Sequence, residues 1–333
     1  MRRMLIAPLL LLSAAAAVNR HAPKHPAPPP RPTFDANVVN NVATTDLAGL
    51  HDAGSAVLRA QILLDRAHFS VGEIDGTFGE NMENTVKAYQ ASHNIQADGM
   101  LDQNTWTALN QDTQPALVPY AINPTDVAGP FYKIPADMMK QAKLPGLGYS
   151  SAAEELGERF HINPKILKDL NPGKQLDHAG EQIMVPNITR PPITAQPALV
   201  VVKKSCSCLE VFDSQNQLLA HYAATMGSQH DPLPVGDWKI EKPQWNPVFN
   251  YNSKLFWDAN DKHAKARIKP GPNNPVGVVW IGISKEHYGI HGTPEPSTIG
   301  KAQSHGCIRL TNWDATELSN MVKPGMTASL REN

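Results

Sequence analysis

Cys307 stands in the run SHGCIRL (304–310), with His305 and Gly306 before it and Arg309 two residues on. A thiol in that setting could be a nucleophile, a metal ligand or a small buried hydrophobe. Read as a strand, with its period of two, the run puts His305, Cys307 and Arg309 on one face. Ile308 and Leu310 fall on the other face with Ser304 and Gly306, so the aliphatics would anchor the strand to a core. Gly306 leaves the backbone beside the thiol uncovered, so a carbonyl could reach the local N–H groups and be stabilised there as an oxyanion.

A thiol attacks as the thiolate, and an unperturbed cysteine is only a few per cent ionised at neutral pH, so it needs a base or a positive partner. His305 is near in sequence; His291, in GIHGT (289–293), lies upstream across the polar loop TPEPSTIGKAQ. That loop lets two histidine-bearing strands lie side by side, which would set His291 across from Cys307. Other roles fit parts of the pattern. An inert core thiol would sit oddly among titratable neighbours. A zinc site of His291, His305 and Cys307 has suitable ligand types but no fourth ligand at a recognisable spacing. Arg309 could be a surface ion-pair residue, and Trp245, Tyr251, Phe256 and Trp257 either a substrate-covering flap or plain core. Cys206 and Cys208 leave one face of a strand, where a bridge and two free thiols are both open; a bridge would leave Cys307 as the free thiol.

The remaining chain has to position this cluster. At 333 residues with 41% apolar content it can hold two or three domains. Thirty basic and 31 acidic residues, net −1, supply no summed field that would draw it to nucleic acid or anionic lipid. Its 29 prolines point to extended connections between modules. The N-terminus has Arg2 and Arg3, an apolar run over 4–12 and small residues to Ala17, the pattern of a secretory signal peptide (1–17), too short to span a membrane. A Pro-rich linker (18–45) follows.

Val57, Ala60, Leu64 and Ala67, then Met82, Val86, Tyr89 and His93, repeat at helical spacing around the turn VGEIDGTFG, and a short third segment carries Trp106 and Leu109. This predicts a small three-helix domain over 46–112, followed by a linker over 113–146. Two more stripes, Ala152–Leu156–Phe160 and Ile166–Leu167–Leu170, precede a short strand at 182–185, making a small α+β module over 147–188. From 198 to 331 the runs LVVVKK, CLEVFD, QLLAHYAAT and VVWIGI predict a mostly β domain. DSQN marks a hairpin within it, and a closing helix from about Trp313 to Val322 has Thr311 or Asn312 as its N-cap.

Three resemblances attach to these modules. DGTFGENMENTVKAYQASHNIQADGMLDQNTWTAL resembles the peptidoglycan-binding helical domain of cell-wall enzymes. RFHINPKILKDLNP with the terminal IMVP resembles a LysM carbohydrate-binding module, although the usual Gly-Asp-Thr turn is missing near 148–151. IHGT followed by IGKAQSHGCIRLTNWDA, supported by PVGDWKI, NPVFNYN and PGPNNPVG, resembles the L,D-transpeptidase catalytic domain. The departure there is Leu233 before Pro234, where threonine is usual.

The last resemblance implies Cys307 as nucleophile and His291 as general base, with the Gly292 carbonyl orienting the imidazole. It implies that His305, Gly306 and the Cys307 N–H shape an oxyanion region. Arg309, Ser304, Thr293 and Tyr251 are then expected to contact substrate, Arg309 through a carboxylate. The implied enzyme is an exported cysteine acyltransferase of the periplasm or cell envelope, needing no cofactor or metal and susceptible to carbapenems. Its partners would be peptidoglycan stem peptides and an amine acceptor, with no nucleic acid and no membrane span. Hydrolysis of the same stems, or a non-enzymatic wall-binding role, are the alternatives; retention of both His291 and Cys307 argues against the last. Binding modules would raise the local concentration of polymer near the thiol.

Overall fold

The computed structural model describes residues 33–257, 259–260 and 263–333. The expected signal peptide and the first part of the Pro-rich segment lie outside the described residues. From residue 33 the remainder of that segment is not a free linker. It holds a single helical turn, α1 (Ala36–Val39), whose Val39 is fully buried. Asn40 exchanges two side-chain hydrogen bonds with the Leu117 backbone, and Arg59 donates to the Val39 carbonyl.

The helical domain consists of α2 (Ser55–Arg66), α3 (Glu80–Ser92) and α4 (Gln103–Leu109), with a short strand β1 (Phe69–Ser70) after α2. Its core gathers the predicted stripes, Val57, Ala60 and Leu64 meeting Met82, Val86 and Trp106. Each Asp-Gly turn is clamped by a buried glutamine. Gln61 Oε1 accepts the N–H groups of Asp75 and Gly76 while its amide donates to Asp75; Gln90 Oε1 accepts the Gly99 N–H while its amide donates to Asp98. Gly76 and Gly99 sit at φ +67° and +81°, where a side chain is strained, so the two turns need both the glycine and the glutamine.

Helix α2 is buried on every side from Val57 to Arg66. Its second apolar face, Leu58 and Ile62, belongs to another core with Ile74, Leu156, Leu167 and Val185. A helix with no face left to solvent is an interior helix, its Arg59, Gln61, Asp65 and Arg66 buried with the apolar residues, and here it is shared by two modules. The second is built from β2 (Leu117–Ala121), α6 (Ala152–Arg159), α7 (Pro164–Leu170) and β3 (Gln182–Pro186), while the turn α5 (Met138–Gln141) packs instead beside Leu147 and Ile268. β2 and β3 pair antiparallel, Tyr120 opposite Ile183. The stretch 113–146, expected as a linker, therefore contains a strand of this module, well upstream of 148–151, where the Gly-Asp-Thr turn is missing. Proline at 119 and the absence of a sustained period hid it.

The β domain holds two sheets. β4 (Pro197–Lys203), β5 (Cys208–Asp213), β6 (Leu218–Ala223), β8 (Gly236–Lys239) and β15 (Thr327–Arg331) form one, in the order β1-β6-β5-β4-β15-β8. Its outer strand, β1, comes from the helical domain, Phe69 lying parallel to β6 opposite His221. The other sheet runs β7-β14-β13-β12-β9, from β7 (Thr225–Met226), β9 (Gln244–Trp245), β12 (Val279–Gly282), β13 (Gly289–His291) and β14 (Ile308–Arg309). A separate hairpin joins β10 (Phe249–Tyr251) to β11 (Ala266–Ile268). Between the sheets Val200, Val211, Ile281, Ile290 and Ile308 pack with Leu318 of the closing helix α8 (Asn312–Met321), whose N-cap is Thr311.

A buried polar cluster joins the modules. Arg190, after β3, reaches Asp65 of α2 at 2.6 Å, Asp314 of α8 at 3.4 Å, and Glu317. Glu317 also meets His68 at 2.8 Å and the Tyr222 hydroxyl at 2.8 Å, and the Ser70 hydroxyl donates to Asp314 at 2.7 Å. Burial of charge requires such pairing. The helical domain is thus a fixed part of the body, through a strand and an ion cluster, and not a module on a tether.

Candidate active site

β13 and β14 lie side by side and parallel, so the two histidine-bearing segments are neighbours. The register differs from the expected one: His291 pairs with Arg309, and Ile290 with Ile308, so Cys307 precedes the paired residues. The strand is also shorter than expected. Only Ile308 and Arg309 are extended, and residues 305–307 form a bend with Gly306 at φ +93°. A Cβ at Gly306 would come within 2.5 Å of the Tyr288 ring. The glycine accommodates that ring in a left-handed bend and does not leave the backbone bare.

His291 is 4% exposed. Its Nδ1 lies 2.7 Å from the Gly292 carbonyl, so Nδ1 carries the proton and Nε2 is the basic nitrogen. Trp280, directly opposite on β12, stacks on the imidazole with ring centres 5.4 Å apart and planes 18° apart. Burial, helped by the Arg309 charge and opposed by the Gly292 bond, pulls the imidazole down to about 3. The Cys307 thiol, half-buried, contacts the His287 carbonyl at 3.7 Å. Burial, with the Asp231 charge, pushes it above the ordinary thiol range against the opposing pull of the Gly289 backbone and Arg309. In the free protein both groups are therefore uncharged at neutral pH, and proton transfer must accompany attack. Alkylation of Cys307 by iodoacetamide should accordingly keep rising with pH beyond 9; a plateau below pH 7 would instead reveal a preformed thiolate–imidazolium pair.

Of the other expected site residues, three have structural positions. Ser304 is 3% exposed, donating from Oγ to the Cys307 carbonyl at 2.6 Å and accepting the Gly227 N–H at 2.7 Å, so it holds the bend. Thr293 is buried and accepts the Glu295 N–H. Tyr251 packs in a small core with Leu147 and Ile268. Arg309 is half-buried beside His291 and Cys307. The His305 ring meets Phe256 and Trp257 at 5.0 and 5.9 Å, so the segment after β10 touches the cysteine bend; Trp245 stands half-exposed on β9. Trp280 and Tyr288 are not marked by the sequence as site residues, and Asn312 is marked there only as a candidate N-cap. Trp280 had one signal, its place in the strand VVWIGI preceding GIHGT.

Cys206 and Cys208 are bridged and Cys307 is free. Among the described residues, the grouping of potential ligand atoms close enough to share a metal is Cys208, Glu210 and His221, apart from His291, His305 and Cys307, and its Cys208 sulfur is committed to the disulfide.

A free thiol in the bend just before β14 and a buried, carbonyl-anchored imidazole on the neighbouring β13 are the groups a cysteine enzyme of the acyl-transfer class requires. Residues 196–329 match the family description of the L,D-transpeptidase catalytic domain, and residues 53–109 that of a peptidoglycan-binding domain. YkuD of Bacillus licheniformis, which carries the L,D-transpeptidase name, is 30% identical over 179 residues, 53% of this chain and 92% of that protein. YkuD of Bacillus subtilis is 29% identical over 172 residues, 51% of this chain and 88% of its own. YbiS of Escherichia coli is 25% identical over 184 residues, 54% of this chain and 59% of its own. The chain belongs to the L,D-transpeptidase family.

Proposed function

We propose that the chain transfers acyl groups between peptidoglycan stem peptides, with Cys307 as nucleophile and His291 as general base. The observation that carries this is the His291 ring, fixed through Nδ1 so that Nε2 is free to take a proton, on the strand beside Cys307. Sulfur attacks the carbonyl before the terminal D-residue as its proton passes to Nε2. The carbon–nitrogen bond then breaks, the amine leaves with that proton, and a thioester remains on Cys307. An amine from a second stem attacks the thioester, the carbon–sulfur bond breaks, and the proton released by the amine returns to the thiolate through His291.

Backbone N–H groups of the 305–307 bend serve as the oxyanion donors, with His305 and Gly306 shaping it, and Arg309 takes a stem carboxylate. The peptidoglycan-binding domain supports a wall polymer as substrate. That domain, together with the charged and apolar N-terminal run, supports export to the cell envelope; among the described residues no helix is long and apolar enough to cross a membrane.

Incubating purified protein with sacculi and separating the muropeptides tests the reaction. New 3→3 dimers are expected. Shortened stems without dimers would move the assignment to hydrolysis, and unchanged muropeptides would overturn it.

A further inference from the structure

Glu158, in the middle module, projects from α6 into the β domain. Its Oε1 accepts a hydrogen bond from Asn312 Nδ2 at 2.5 Å. Asn312 is 2% exposed and its amide is fully engaged. Nδ2 also donates to the Pro272 carbonyl at 3.1 Å, and Oδ1 accepts the Val278 N–H at 3.1 Å. The amide is wedged against two glycines: a Cβ on Gly277 would come within 2.0 Å of Asn312 Oδ1, and one on Gly292 within 2.1 Å. Gly292 is the residue whose carbonyl holds His291 Nδ1. A second carboxylate of α6 acts nearby, Glu154 accepting from Asn273 at 2.5 Å, so the helix grips the 272–278 loop as well.

We infer that Glu158 is a positioning residue for His291, acting through the Asn312 amide packed under the Gly292 turn. The inference rests on the proposal that His291 is the general base of Cys307. It makes the middle module part of the catalytic apparatus, whatever else that module binds. The physical argument is one of tolerance. A buried amide with every donor and acceptor engaged has one orientation. Removing the Glu158 acceptor leaves an Nδ2 hydrogen unsatisfied, and the amide turns or shifts to recover a partner. With glycine backbone in van der Waals contact there is no slack, so the shift passes to the Gly292 carbonyl and re-aims the imidazole. Burial, assisted by Glu154 and Glu73 and opposed by Asn312, pushes the Glu158 carboxyl up to about 8. It is therefore mainly the neutral acid at pH 7, for which glutamine is a close copy.

The test is acylation of Cys307 by imipenem in the full chain, resolving the limiting rate from the half-saturating concentration. Glu158→Leu is expected to lower the limiting rate by about 10-fold, since small misplacements of a catalytic group are costly, and to leave half-saturation unchanged. Glu158→Asp keeps the chemistry but falls one methylene short, and should lose about 5-fold; it covers the case of a leucine variant that does not fold. Glu158→Gln should stay within about 2-fold of wild type. Leucine and aspartate variants that fold and acylate at the wild-type rate overturn the inference, as does an equal loss in the glutamine variant. His291→Gln is measured alongside: if it too acylates normally, the general-base assignment has failed and the inference falls with it.

Discussion

Replacing Cys307 with alanine should abolish both carbapenem adduct formation and crosslinking, leaving turnover more than about 10⁴-fold below the intact chain. No other thiol can substitute, because Cys206 and Cys208 are bridged to each other. His291→Gln, which keeps a donor for the Gly292 carbonyl but lacks the basic Nε2, should lose about 10²–10⁴-fold. Intact-protein mass spectrometry reads the adduct and muropeptide separation reads turnover. The alanine protein should retain its fold, since the half-buried thiol makes only weak contacts, to the His287 carbonyl and the Gly289 backbone. An adduct persisting in that variant would place the nucleophile elsewhere and remove the basis of the proposed chemistry.

The second large effect is on stability. Arg190→Leu strips the shared cation from Asp65, Asp314 and Glu317, two of them essentially inaccessible to water. Breaking a buried ion cluster by deleting one partner leaves uncompensated charge and costs about 3–5 kcal/mol. Urea unfolding followed by tryptophan fluorescence measures it. The deficit should depend on pH, with a sign set by Asp65. Burial alone would raise that carboxyl, but Arg190 and His161 hold it well below the ordinary carboxylate range.

A depressed native value contributes stability that is complete above the unfolded value of about 4 and lost as pH falls below it. The difference between wild type and Arg190→Leu should therefore be largest near neutrality and narrow in acid. Asp314 behaves oppositely. Its burial outweighs Arg190 and raises it to about 7, so it costs stability as pH climbs from about 4 to 7, and loss of Arg190 should steepen that cost. A deficit independent of pH would mean the cluster acts by packing alone.

The cluster also bears on how the modules work. With β1 seated in the β-domain sheet and α2 shared by two cores, the wall-binding domain sits at a fixed place relative to Cys307. Tethering then raises the local concentration of polymer in one orientation, where a flexible linker would average over many.

Residue types and spacing by themselves marked Cys307 and His291 as the pair to test, and separated helical stretches from a C-terminal β-rich region. Those features are local. A period of 3.6 or 2 marks the faces that leave water, and SHGCIRL and GIHGT keep their identity wherever they fold. The tertiary structure decided what each face meets. The stripe of α2 through Val57 and Leu64 was legible, but nothing in SAVLRAQILLDR says that Leu58 and Ile62 enter a different core. Ser304, Thr293 and Tyr251 came from the family resemblance, and no sequence shows the local hydrogen bonds of the first two or the small core around the third. The pairing of His291 with Arg309, and the reach of Glu158 to Asn312, depend on register and packing between segments far apart in the chain. Such contacts are chosen by the free energy of the whole fold, since no run of neighbouring residues contains both partners.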